Sequence, residues 1–117
     1  MAEDATHREE PVVAIDRVDG ATVVRLAGEL DLYNADAVRN ALDRALADQP
    51  SRLVIDLSRV EFIDSTALGV LIEARSKLGK AGLALAAPQR ETRRALEVSG
   101  LNRHLPVHDS VDDALKS

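Results

Sequence analysis

Leu53-Val54-Ile55-Asp56-Leu57-Ser58 and, a few residues on, Phe62-Ile63-Asp64-Ser65-Thr66-Ala67-Leu68-Gly69-Val70-Leu71 decide how this chain is read. The first stretch is a short apolar, β-branched run, the pattern of a buried strand. A polar loop is expected after it, and then a helical pattern that begins abruptly at a cluster of side-chain oxygens. Asp64, Ser65 and Thr66 thus stand where a helix leaves its first backbone N–H groups without partners. A hydroxyl there either caps the helix or stays open to a partner or a modifying enzyme. Residue types alone favour the cap for Ser65.

Working outward, the strand at 52–57 is preceded by a helical stripe, Val38, Ala41, Leu42, Ala45 and Leu46. Asn34 is a plausible cap for that helix and Asp36 a favourable first-turn charge. Two further runs, 12–15 and 21–26, flank Asp19-Gly20, a pair that tolerates positive φ and signals a hairpin. Downstream, a helix is expected over about 66–78, with Ala67, Leu68, Leu71, Ile72, Ala74 and Leu78 inward and Gly79 as its stop. A buried strand at 82–87 follows, then a more polar helix at 89–98 and a short edge strand at 105–107. The last helix opens at Ser110, a capping serine with an acid three residues on. Strands alternating with helices after an initial hairpin imply one α/β domain with a mixed sheet, and the segment 52–87 is long enough for a parallel crossover.

The 117 residues suffice for a core without metal or disulfide staples. That core is expected to consist of Leu, Val, Ile and Ala, because Tyr33 and Phe62 are the only aromatic residues. The absence of cysteine excludes thiolate metal sites and cysteine nucleophiles. A net charge of −5 and the lack of stacking platforms argue against a nucleic-acid protein. No apolar run approaches the ~20 residues that span a bilayer. Residues 1–10 are charged, lack a signal-peptide hydrophobic region and read as a flexible acidic tail before the domain at 11–117. A cytoplasmic protein is expected.

Catalytic constellations are hard to assemble. His104 and His108 have helical metal-pair spacing, but Pro106 lies between them and no third ligand is near. Gly79-Lys80-Ala81-Gly82 lacks the arrangement that surrounds phosphates with backbone donors. Lys77, Lys80, Arg90, Arg93 and Arg94 read as solvated helix faces. Asp56 and Asp64 could serve a hydroxyl nucleophile at Ser65, yet no lysine or histidine lies locally to activate it. The expectation is no enzyme, no metal and no cofactor.

Asp56-Leu57-Ser58, Phe62-Ile63-Asp64-Ser65-Thr66-Ala67-Leu68-Gly69 and Gly28-Glu29-Leu30-Asp31 together resemble the STAS domain superfamily, most of all its free-standing bacterial anti-sigma factor antagonists. The C-terminal stretches at 96–101 and 109–115 resemble the family's ending. The resemblance implies a central mixed sheet with helices packed mainly on one side. It implies that the unphosphorylated form binds an anti-sigma factor with serine-kinase activity and frees a sigma factor. Phosphorylation of Ser65 would switch that binding off, and a phosphatase would restore it. The partner-binding residues carried over are Asp31, Asp56, Asp64, Ser65, Thr66 and Ala67, the last standing where many relatives have glycine. The alternative is a soluble STAS regulatory subunit of a lipid or anion transport system. Neither reading implies direct contact with nucleic acid or insertion in a membrane.

Overall fold

In the computed structural model, which describes residues 10–78 and 82–117, Asp19 and Gly20 both take positive φ, +50° and +86°. That geometry closes the expected hairpin between β1 (Val12–Val18) and β2 (Ala21–Leu30), which pair antiparallel. The chain then alternates through α1 (Ala35–Ala47), β3 (Arg52–Ile63), α2 (Ser65–Leu78), β4 (Leu83–Ala86) and α3 (Arg90–Ser99). A 3-10 turn (Leu101–Arg103), β5 (Val107–His108) and α4 (Val111–Lys116) complete it. The sheet order is β1-β2-β3-β4-β5, with β2 to β5 parallel. Neighbouring strands in chain order, with the three crossover helices on one face, are what crossovers of constant hand produce. The expected tail at 1–9 and the Gly79 helix stop lie outside the described residues.

The two faces of the sheet are unequal. On one, Val24, Leu26, Leu53, Ile55, Leu57 and Leu85 pack against α1, α2 and α3 through side chains such as Leu42, Leu71 and Leu96. Each such side chain contributes about 1.5–3 kcal/mol by leaving water. On the other face, among the described residues, α4 packs its Ala114 against Val23, Val54, Ala84 and Ala86. Ser110 caps α4 as expected, its side chain accepting from the Asp113 N–H at 3.0 Å.

Several local expectations give way. Residues 58–63 are not a polar loop but the second half of a twelve-residue β3. Against β2 the pairing runs Arg25↔Asp56, Ala27↔Arg59, Gly28↔Val60 and Glu29↔Phe62, so β3 carries one extra residue at each of two bulges. Gly28, at φ +79°, supplies the backbone conformation opposite Val60. β4 ends opposite Asp56, so the ends of β2 and β3 continue beyond it as a two-stranded ribbon. In α2, Val70 is buried and Ile72 is half exposed, because the helix packs on both the sheet and α1 and its buried stripe is rotated. Asn34 makes no side-chain capping bond. The edge strand is Val107–His108; Leu105 turns into the core, and Pro106 contributes its carbonyl to Leu85 N–H at 2.9 Å.

Candidate functional site

The ribbon of β2 and β3 ends in two loops that meet. Leaving β3, Asp64 donates its N–H to Leu30 O at 3.0 Å, which holds the start of α2 against the end of β2. Its Oδ1 accepts the Ala67 N–H at 3.0 Å, and its backbone carbonyl accepts the Leu68 N–H at 3.0 Å. These two bonds make Asp64 the N-cap of α2. Its Oδ2 accepts the Leu32 N–H at 3.1 Å, so one carboxylate caps a helix and ties down the neighbouring loop. With the cap at Asp64, Ser65 and Thr66 are the first two helical residues, and both are exposed.

The opposing loop is held by its own polar side chains. Asp31 Oδ1 accepts the Tyr33 N–H at 3.0 Å. Asn34 accepts the Asp31 N–H through Oδ1 at 2.9 Å and donates through Nδ2 to Glu29 O at 2.7 Å. That is why Asn34 does not cap α1: its amide closes the loop that precedes the helix. The loop lifts Leu32 and Tyr33 into solvent, and Tyr33 is 85% exposed. Across the ribbon Phe62, in register with Glu29, is 51% exposed. Both aromatic residues of the chain therefore lie at the Ser65 end and outside the core, a placement that composition alone did not reveal. Along α2, Ser65, Gly69 and Ile72 share one face at helical spacing, extending the surface.

Asp31, Asp64, Ser65 and Thr66 are thus brought together, whereas Asp56 and Ala67 are not part of the same surface. Ala67 faces the core at 1% exposure and offers only a backbone N–H, already given to Asp64. Asp56 lies seven strand residues before Ile63, roughly 20 Å away at about 3.3 Å per residue. It is buried at 6% exposure on the α4 side of the sheet. There its Oδ2 accepts from Arg25 Nη1 at 2.7 Å and its Oδ1 from the Ser58 N–H at 2.9 Å. Arg25 is also bonded to Asp16 at 3.0 Å. The Asp16 and Asp56 carboxylates raise the guanidinium above its ordinary pKa.

Chemically, the site presents a primary hydroxyl at the N-terminus of a fourteen-residue helix, beside two carboxylates committed to backbone bonds. Among the described residues no group of three His, Cys, Asp or Glu could hold a metal ion, and His104 and His108 sit elsewhere, around β5. No helix among them is long and apolar enough to cross a membrane.

Comparison with known proteins gives the same picture along the chain. The STAS domain model matches residues 12–114. The anti-sigma-F factor antagonist RsfB of Mycobacterium tuberculosis is 36% identical over 98 residues, covering 83% of this chain and 80% of its own. The anti-sigma F factor antagonist of Paenibacillus polymyxa is 33% identical over 99 residues, covering 82% and 85%. The crystal structure of an anti-sigma factor antagonist from Mycobacterium paratuberculosis superposes with a TM-score of 0.85 at 37% identity, covering 93% of this chain and 95% of that one. From the β1–β2 hairpin to α4, through the ribbon and its Asp64-capped helix, the chain belongs to the STAS domain family.

Proposed function

We propose that this protein is an anti-sigma factor antagonist whose exposed ribbon end binds an anti-sigma factor with serine-kinase activity and so frees a sigma factor. Phosphorylation of Ser65 ends that binding, and a phosphatase resets it. The observation that carries the reading is the position of the only two aromatic residues, exposed beside a serine hydroxyl that the helix does not need as a cap. Exposed aromatic side chains are the usual anchors of protein interfaces. The names of the relatives point to the class of partner.

In this reading Leu32, Tyr33, Phe62 and Ile72 supply apolar contact, while Asp31 and Asp64 shape the two loops. Thr66 lies beside the phosphoacceptor. Ala67 and Asp56 act indirectly, the first by donating its N–H to the Asp64 cap and the second through β3. A phosphate on Ser65 adds about −1.5 to −2 charges to a surface already carrying Asp31 and Asp64. The helix dipole and its free N–H groups tolerate that charge within the fold, whereas an interface fitted to the neutral hydroxyl does not. The protein acts in the cytoplasm, where sigma factors work, and needs no cofactor.

The test is a pull-down from the native cell, followed by phosphorylation of the purified chain by the captured kinase. Mass spectrometry is expected to place one phosphate on Ser65, and Ser65→Ala to abolish it while still binding. A phosphate on Thr66 alone overturns the assignment. Capture of a transporter ATPase instead replaces the reading with that of a transport regulator.

A further inference from the structure

The ribbon that leads into Ser65 projects beyond β4, so the outer edge of β3 loses its backbone partner after Asp56. An unpaired strand edge leaves carbonyl groups without donors, a cost that increases with burial. Here the helix that follows β4 supplies them from side chains. Gln89 Nε2 donates to Ser58 O at 2.9 Å, and Thr92 Oγ1 donates to Val60 O at 3.3 Å. Thr92 is 0% exposed, a fully buried hydroxyl spent on this one bond. Gln89 is the N-cap position of α3 and Thr92 lies three residues on in its first turn, while the two acceptors are two apart on β3, so helix start and strand keep step. At the same place Asp56 Oδ1 holds the Ser58 N–H, which pins the first bulge from the other side.

We propose that Gln89 and Thr92 are positioning residues for the Ser65 end, replacing β4 with side-chain donors and fixing where the ribbon points. This rests on the reading of that end as the partner-binding, phosphoaccepting surface. Neither residue touches the surface itself; both act through β3. Because these two side chains hold this edge among the described residues, their loss frees the ribbon and leaves the five-stranded body of the sheet in place.

The experiment compares the wild type with Thr92→Val, which keeps shape and removes the donor, and Thr92→Ser, which keeps the donor. Gln89→Ala, at an exposed position, serves as a second variant should Thr92→Val fail to fold. Amide hydrogen exchange of the whole chain is read residue by residue. In Thr92→Val, residues 59–67 are expected to exchange about tenfold faster while residues 53–55 stay unchanged, with Thr92→Ser close to wild type. Dissociation from the captured anti-sigma factor is expected to accelerate by a similar factor in Thr92→Val and to be rescued in Thr92→Ser. A uniform rise in exchange, an unchanged ribbon, or equal behaviour of the two variants overturns the proposal. Altered exchange with unaltered dissociation also overturns it, by severing the clamp from the site. If the wild type binds no anti-sigma factor, the functional reading fails, and the clamp is then decided by the exchange data alone.

Discussion

At the scale of single residues, three neighbouring side chains with similar capping chemistry turn out to have divided the work. Asp64 carries the cap and the loop tie, so Asp64→Ala removes the carboxylate acceptors of two backbone N–H groups at once. A lost cap costs about 0.5–2 kcal/mol, and the orphaned Leu32 N–H adds to it; urea unfolding is expected to show the sum. Ser65→Ala, by contrast, is expected to stay within about 0.5 kcal/mol of wild type, since the capping bond is Asp64's. If Ser65→Ala proved the more damaging of the two, the cap would have been misassigned. Asp, Ser and Thr are all good caps, and residue types favoured Ser65, whereas the capping bond belongs to Asp64. What separates them is a one-residue difference in where α2 begins, which tertiary pairing of Asp64 with Leu30 settles. A different residue carries strain: Ala87, between β4 and Pro88, sits at φ +56°. Because a side chain disfavours that region by roughly 1–2 kcal/mol, Ala87→Gly is expected to leave stability unchanged or raise it slightly, and a lower melting temperature would contradict this.

At the scale of elements, the hairpin, the alternating strands and helices, and the β3–α2–β4 crossover were all legible, since period-two and period-3.6 patterns were clear there. Half of β3 was not. Its buried residues run Leu57, Val60 and Ile63, every third position, because each bulge resets the alternation. A strand pattern broken in this way looks like a polar loop. The inward face of α2 was missed in part for a related reason: packing on two neighbours favours Val70 over Ile72. The same two-sided packing leaves a charged seam between α1 and α2. Arg39 donates to both Glu73 oxygens, at 3.1 and 3.0 Å, and Lys77 to Asp43 at 2.8 Å. The Arg39 hydrogen bond holds the Glu73 carboxyl below the ordinary glutamate range. A carboxyl lowered in the folded state stabilises the fold above its unfolded value of ~4.3 and loses that effect as pH falls through the folded value. The seam is solvated, so its contribution is small. Wild type is expected to melt slightly above Glu73→Gln at neutral pH, with the two curves converging in acid; a gap that widened in acid would reverse the sign.

For the molecule as a whole, the division between a packed body and a projecting end is expected to separate stability from the proposed recognition. The body is held by the apolar face under α1, α2 and α3 and by α4 on the reverse, and the Ser65 hydroxyl belongs to neither cluster. A charge placed there is therefore expected to leave the fold intact: Ser65→Asp should match wild type in far-UV circular dichroism and thermal melting, yet bind its partner more weakly. Tyr33 makes this measurable without a label. It is the only tyrosine in a chain without tryptophan, and it stands on the loop that Asp64 ties to α2. Its emission is expected to change on docking of the unmodified protein, with a Tyr33→Phe control separating it from the partner's own fluorescence. The same change should be lost in Ser65→Asp. If Tyr33 anchors the interface, Tyr33→Ala should weaken binding by roughly tenfold or more, as buried tyrosine anchors do, while its melting curve overlays that of wild type. Equal affinity in Tyr33→Ala would remove Tyr33 as the anchor and leave Leu32, Phe62 and Ile72 as the exposed apolar contacts of this end.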